Sequence, residues 1–138
     1  MTSSARPAGL DAAAAPPSNA RMAPERFVVD AHTHAFPDAL AARAIPRLER
    51  QANISAALDG TVGALLRSMD RAGIAAAVVC SIATDPGQFG PIMAWSRTIA
   101  GPRLFPFPSV HPGSSRAVEE VRQVAAAGFG VVKIKRVY

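Results

Sequence analysis

From residue 27 onward, short apolar runs alternate with amphipathic stretches that end close to a glycine. The runs have the length of β-strands and cover residues 27–30, 76–81, 104–110 and 131–135. The amphipathic stretches with helical spacing cover residues 61–72, 91–100 and 115–127. Such alternation predicts an α/β fold with right-handed βαβ units and a parallel sheet buried on both faces. The third strand is the least regular, because Pro106 and Pro108 cannot donate to a ladder.

Local signals set the expected ends of the helices. Asp59 and Ser115 are candidate N-caps, because a short polar side chain can accept a hydrogen bond from the first backbone amides of a helix. An earlier helix is expected over residues 38–52, with an interruption at Pro46. Proline lacks the backbone donor and clashes with the preceding turn of a helix.

Composition predicts one globular domain, or part of one, behind a leader. The chain has 138 residues, of which 49% are hydrophobic, enough for one core. Residues 1–24 are rich in Ala, Pro and Ser without periodicity and are expected to be disordered, and residues 25–138 carry the fold. Cys80 is the single cysteine, so no internal disulfide can form. With no signal-peptide pattern and no run of about 18 apolar residues, we expect a cytoplasmic protein without a membrane partner.

The basic charge does not indicate nucleic-acid binding. The formal charge of +5 comes from thirteen Arg and two Lys that are scattered along the chain. A nucleic-acid surface would require basic residues clustered in a patch and interleaved with aromatic side chains. We therefore expect no nucleic-acid partner.

The first strand ends in the pattern Asp-x-His-x-His, formed by Asp30, His32 and His34. Alternate residues of a strand share a face, so the two imidazoles should leave the sheet about 6 to 7 Å apart on one side. Neutral imidazole is the commonest protein ligand for zinc and similar ions. His32 and His34 are therefore candidate ligands of a divalent metal, zinc in the first place, and Asp30 on the same face is a candidate acceptor that fixes a ring tautomer.

Four segments together resemble the amidohydrolase superfamily, in particular the branch of aminocarboxymuconate-semialdehyde decarboxylase and related metal-dependent hydrolases. They are DAHTHAFP at 30–37, AGI at 72–74, SVHP at 109–112 and GVVKI at 130–134. The resemblance implies a distorted (β/α)₈ barrel of the TIM type with a metal at the carboxyl ends of its strands. It also implies a small-molecule substrate and a water activated by the metal, which acts on a C–N, C–O or C–C bond next to a carbonyl or carboxylate of that substrate.

The resemblance covers only the N-terminal half of such a barrel, about four parallel strands. A complete barrel needs about 250 residues, so the remaining ligands and the acid/base carboxylate are expected beyond Tyr138. The catalytic residues stay unassigned for this reason, and the fragment alone is expected to be inactive.

Three further residues are candidates for an outer shell or a substrate contact: His111, Lys133 and Lys135. His111 is either a loop residue held by Pro112 or a substrate contact. Relatives often have His where this chain has Lys135, and other branches carry a carboxylated Lys near this strand end. Lys133 shares a strand face with Lys135 and would point into the barrel.

Two other interpretations remain open. The chain could be a catalytically inactive remnant, because half a barrel leaves two open edges and an uncovered face. A homodimer would close these edges. It could instead be a non-enzymatic βαβ binding module, although no glycine-rich phosphate motif follows any strand.

Overall fold

The computed structural model describes residues 26–134. The strands of this part of the chain are β1 (Val29–Thr33), β2 (Ala76–Cys80), β3 (Leu104–Phe107), β4 (Ser109–Val110) and β5 (Lys133–Ile134). The α-helices are α1 (Asp38–Ala52), α2 (Val62–Ala72), α3 (Phe89–Ile99) and α4 (Ala117–Ala126). The leader predicted over residues 1–24 and the candidate Lys135 lie outside the described residues.

The strands form parallel ladders in chain order. β1 pairs with β2 and β2 with β3, while β4 pairs with β5. Only Pro108 separates β3 from β4, and its carbonyl accepts a hydrogen bond from the backbone N–H of Lys133 at 2.8 Å. The α/β class with a parallel sheet is thus confirmed, and the proline divides the third predicted strand into two short ones. Within residues 26–134 the sheet stays open.

The helices cover one face of this sheet. Leu65 and Met69 of α2 pack with Ala77, Val79 and Leu104 in one core cluster. A second cluster forms where α3 and α4 meet β4; its buried members are Met93, Val110 and Val124.

The prediction of a sheet buried on both faces is wrong outside β2. Val29 is 45% exposed and Phe105 48%, because no element of residues 26–134 packs over this second face. We call it the open face. No helix of the described part of the chain is long and apolar enough to cross a membrane.

Pro46 in α1 and the N-cap of α2 both differ from the prediction. Helix α1 runs without interruption from Asp38 to Ala52 and includes Pro46, which therefore removes one backbone donor and does not end the helix. Helix α2 is capped by Thr61, whose hydroxyl accepts from the amide of Ala64 at 3.1 Å. Asp59 instead accepts from the amide and hydroxyl of Thr61.

The start of α4 also differs. Arg116 stands at the N-cap without a side-chain cap, so the predicted cap at Ser115 is wrong. The hydroxyl of Ser114 accepts from the amide of Arg116 at 3.2 Å and donates to Glu120 at 2.9 Å. The side chain one residue earlier thus organises this helix start.

Helix α1 is attached to the rest of the fold at Gly60. Phe36 donates its backbone N–H to the carbonyl of Gly60 at 2.9 Å. Gly60 has φ +81°, and a Cβ built on it would lie 2.7 Å from two carbons of Ile45 in α1. The position therefore needs glycine both for its backbone angle and for the close approach of the helix.

Candidate metal centre

An irregularity in β1 determines which side chains reach the open face. Asp30 pairs with Ala77 and Thr33 with Val79, so two residues of β1 lie opposite a single residue of β2. Ala77 and Val79 both face the helices. Asp30 and Thr33 therefore face the helices as well, and His32 and His34 lie on the open face. The prediction that Asp30 shares the face of the histidines is wrong, because the extra residue reverses the alternation between them.

The ring of His34 is held by the neighbouring strand. Its Nδ1 lies 2.8 Å from the backbone carbonyl of Cys80, which can only accept, so Nδ1 carries the proton. In the neutral ring the lone pair is then on Nε2. Beside it, the hydroxyl of Thr33 donates to the carbonyl of Val78 at 2.8 Å. These two bonds fix the end of β1 and the orientation of the imidazole.

The two imidazoles converge through their Nε2 atoms. The distance between Nε2 of His32 and Nε2 of His34 is 3.2 Å. The ring planes make an angle of 68°, and the ring centroids are 5.0 Å apart. Two nitrogens bound to one tetrahedral zinc at the usual 2.0 to 2.1 Å would be about 3.3 to 3.4 Å apart. The spacing therefore suits two ligands of a single metal ion.

Lys133 reaches the same point from β5. Its Nζ lies 3.1 Å from Nε2 of His32. In a flat sheet, three strand spacings would put β1 and β5 about 14 Å apart. The two side chains meet over the open face, although β1 and β5 do not pair with each other. Lys133 was expected to share the strand face that points into the barrel, and its amine lies beside His32 on the open face.

The other candidate residues have partners elsewhere. Asp30 accepts from the backbone N–H of His32 at 3.1 Å, so its carboxylate braces the main chain. Nδ1 of His111 accepts from the amide of Gly113 at 3.0 Å within its own turn, as expected for a loop residue. Cys80 is buried, and its backbone carbonyl is a contact of the candidate site that the sequence did not indicate. A backbone acceptor has no signature in the sequence.

Among residues 26–134, no third His, Cys, Asp or Glu side chain joins the two imidazoles to form a metal cluster. Comparisons of the chain with protein-family models, with curated proteins and with solved structures found no match. The chemistry assigned to His32 and His34 therefore depends on their donor atoms and on the spacing of these atoms.

Proposed function

We propose that His32 and His34 bind a divalent metal ion, zinc in the first place, in a metal-dependent hydrolase of the amidohydrolase type. The observation that supports this most directly is the 3.2 Å distance between the two Nε2 atoms. The bond from His34 to the carbonyl of Cys80 adds to it, because it leaves the lone pair of that ring on the nitrogen that faces His32. A backbone acceptor of this kind commonly orients metal-bound imidazoles.

The position of the pair in the sheet supports the same proposal. His32 is the last residue but one of β1, and His34 directly follows the final residue of this strand. In α/β proteins with parallel strands, ligands bind at the carboxyl ends of the strands, where the βα loops converge. A divalent ion supplies Lewis acidity there, polarising a carbonyl and easing the deprotonation of water.

The residues around the ion would have separate tasks. The carbonyl of Cys80 holds His34 in one tautomer. The amine of Lys133 lies 3.1 Å from Nε2 of His32 and would leave that nitrogen when an ion binds to it. We propose that the general base is a carboxylate beyond Tyr138, as the amidohydrolase resemblance implies. Hydrolysis and decarboxylation next to a carbonyl both fit this arrangement.

We further propose that these parallel strands are the first part of a (β/α)₈ barrel. The contact between Lys133 on β5 and His32 on β1 agrees with this, because inward-facing side chains of different strands meet inside a barrel. Val29 on β1 and Ile134 on β5 are exposed apolar residues of the two outer strands. Further strands, or a second copy of the chain, would pair beside these strands and complete the barrel.

Zinc binding to the 138-residue chain tests the metal assignment. After removal of adventitious metal, calorimetric titration with zinc should give one site per chain, and His32→Ala or His34→Ala should weaken this binding by at least about tenfold to a hundredfold. His111→Ala is the matched control, because this histidine bonds within its own turn and should leave zinc affinity unchanged. Equal zinc affinity in all three variants would overturn the proposal.

A non-catalytic role is the second candidate, and the exposed open face is the observation that favours it. Val29 is 45% exposed and Phe105 48%. Covering such residues by a second copy would stabilise a dimer without any metal chemistry. Sedimentation of the metal-free chain separates the two: a stable dimer that gains nothing from zinc would favour the non-catalytic role.

A further inference from the structure

A groove runs between α1 and α3, on the helix side of the molecule. One face of α1 forms its first wall, and the loop after β2 together with the start of α3 forms the second. The residues of α1 that line it are Leu40, Arg43, Ala44, Arg47, Leu48 and Gln51. They recur at helical spacing and extend over about 16 Å of the helix. Ile82, Ile92 and Trp95 stand on the opposite wall.

The apolar side of α1 faces this groove and not the core. Ala41 is the one residue of α1 that is buried, and Leu40 remains 41% exposed. The cavity has a volume of about 510 Å³, which lies in the range of about 300 to 1,000 Å³ that is usual for small-molecule sites. A helix face with this pattern gains free energy when an apolar body removes it from water.

The charged residues that line the groove are both positive. Arg43 and Arg47 are one helical turn apart, and no Asp or Glu belongs to the lining. Within residues 26–134, neither guanidinium has an ion-pair or hydrogen-bond partner. Arginine presents a planar fork of donors that matches a carboxylate. An apolar groove with two such groups at its side is complementary to an amphipathic anion.

We propose that this groove binds an elongated apolar monocarboxylate, with its hydrocarbon part between Leu48 and Trp95 and its carboxylate on Arg43 and Arg47. Neither His32, His34 nor Lys133 lines the groove. The lining does include Ala35 and Ser81, which follow His34 and Cys80 in the chain. The groove therefore adjoins the candidate metal centre without sharing its side chains, and its occupation does not require zinc.

Trp95 provides the readout, because it is the single tryptophan of the chain and it lines the groove. Titration of the metal-free, full-length chain with sodium decanoate should change the Trp95 emission in a saturable way, while decanol, which lacks the charge, should bind more weakly. An Arg43→Gln/Arg47→Gln double variant should weaken decanoate binding by about tenfold to a hundredfold. Arg50→Gln is the matched control, since Arg50 is on the same helix but outside the lining.

A second variant tests the cavity itself. Ala44→Phe places a ring in the groove and should abolish the decanoate response, while the circular dichroism spectrum stays that of the parent chain. The proposal is overturned if the emission does not saturate with decanoate, if decanol binds as tightly as decanoate, or if Arg43→Gln/Arg47→Gln and Arg50→Gln weaken binding equally. Self-association of the chain that buries Trp95 and excludes decanoate would also overturn it, with a second copy as the occupant.

Discussion

The amine of Lys133 lies 3.1 Å from Nε2 of His32, although 101 residues separate the two in the chain. A lysine ammonium has only donors, so Nε2 of His32 must accept this hydrogen bond with its lone pair. A metal ion requires the same lone pair. The amine and a metal ion would therefore compete for one atom, and an ion bound there would displace the lysine.

Removal of the amine should consequently tighten metal binding. We expect Lys133→Met to increase zinc affinity by about tenfold or more, because it removes both the competitor and a nearby positive charge. Lys133→Arg keeps the charge and should bind zinc no more tightly than the parent chain. Titration calorimetry measures both. Weaker zinc binding in Lys133→Met would instead assign the lysine to the metal-binding group itself.

The glycine at position 60 should be far less replaceable than the glycine at position 73. Both have positive φ, +81° and +66°, but only at Gly60 would a Cβ meet another side chain, that of Ile45. We expect Gly73→Ala to lower the free energy of unfolding by about 1 kcal/mol from backbone strain alone. Gly60→Ala adds overpacking and should cost about 2 to 4 kcal/mol. Urea denaturation of the two variants measures the difference, and equal losses would exclude the close approach of α1.

Arg103 should matter more for stability than its ionic partner. Its Nη1 pairs with Asp70 at 2.7 Å, while Nε and Nη2 donate to the carbonyls of Ala75 and Ile74 at 3.3 and 3.1 Å. The ion pair is solvent-exposed and is worth little. We expect Asp70→Ala to cost below about 1 kcal/mol and Arg103→Ala about 1 to 3 kcal/mol, because the latter leaves two carbonyls without their donors. Thermal denaturation gives both values; a larger loss for Asp70→Ala would contradict this ranking.

Asp59 should make part of the stability depend on acid pH. The backbone N–H of Thr61 and then its hydroxyl donate to this carboxylate and lower its pKa below the ordinary value of 3.8. A depressed pKa stabilises the fold above the unfolded value, and this contribution disappears as the pH falls through the folded value. The midpoint of thermal unfolding should therefore drop between about pH 5 and pH 3 less in Asp59→Asn than in the parent chain. Parallel profiles would show that Asp59 contributes nothing.

Periodicity predicted the elements of the fold well, and single-residue signals did less well. The helix expected over residues 61–72 is α2, and Gly73 ends it in the left-handed conformation as its position indicated. Pro46 did not break α1, because one missing donor is tolerated in a helix whose neighbouring Ile45 packs against Gly60. Propensity reports what a residue prefers alone, whereas packing decides what it does in the fold.

The candidate site was predictable only in part. His32, His34 and Lys133 could be picked out because alternation assigns side chains to faces. The convergence of their nitrogens depends on the relative placement of β1, β2 and β5, which no local pattern encodes. The extra residue in β1 between Asp30 and Thr33 was also invisible, because the apolar and polar positions of such a short strand fit either register.

The carbonyl of Cys80 that accepts the hydrogen bond from Nδ1 of His34 belongs to the main chain. Every amino acid at position 80 would present the same oxygen, so the tautomer of His34 is protected against point substitution in a way that a carboxylate partner would not be. What can disturb it is a slip of β1 along β2. Which nitrogen of this ring carries the proton thus depends on the pairing of β1 with β2. Selection on this property would act through the residues that keep the two strands in register.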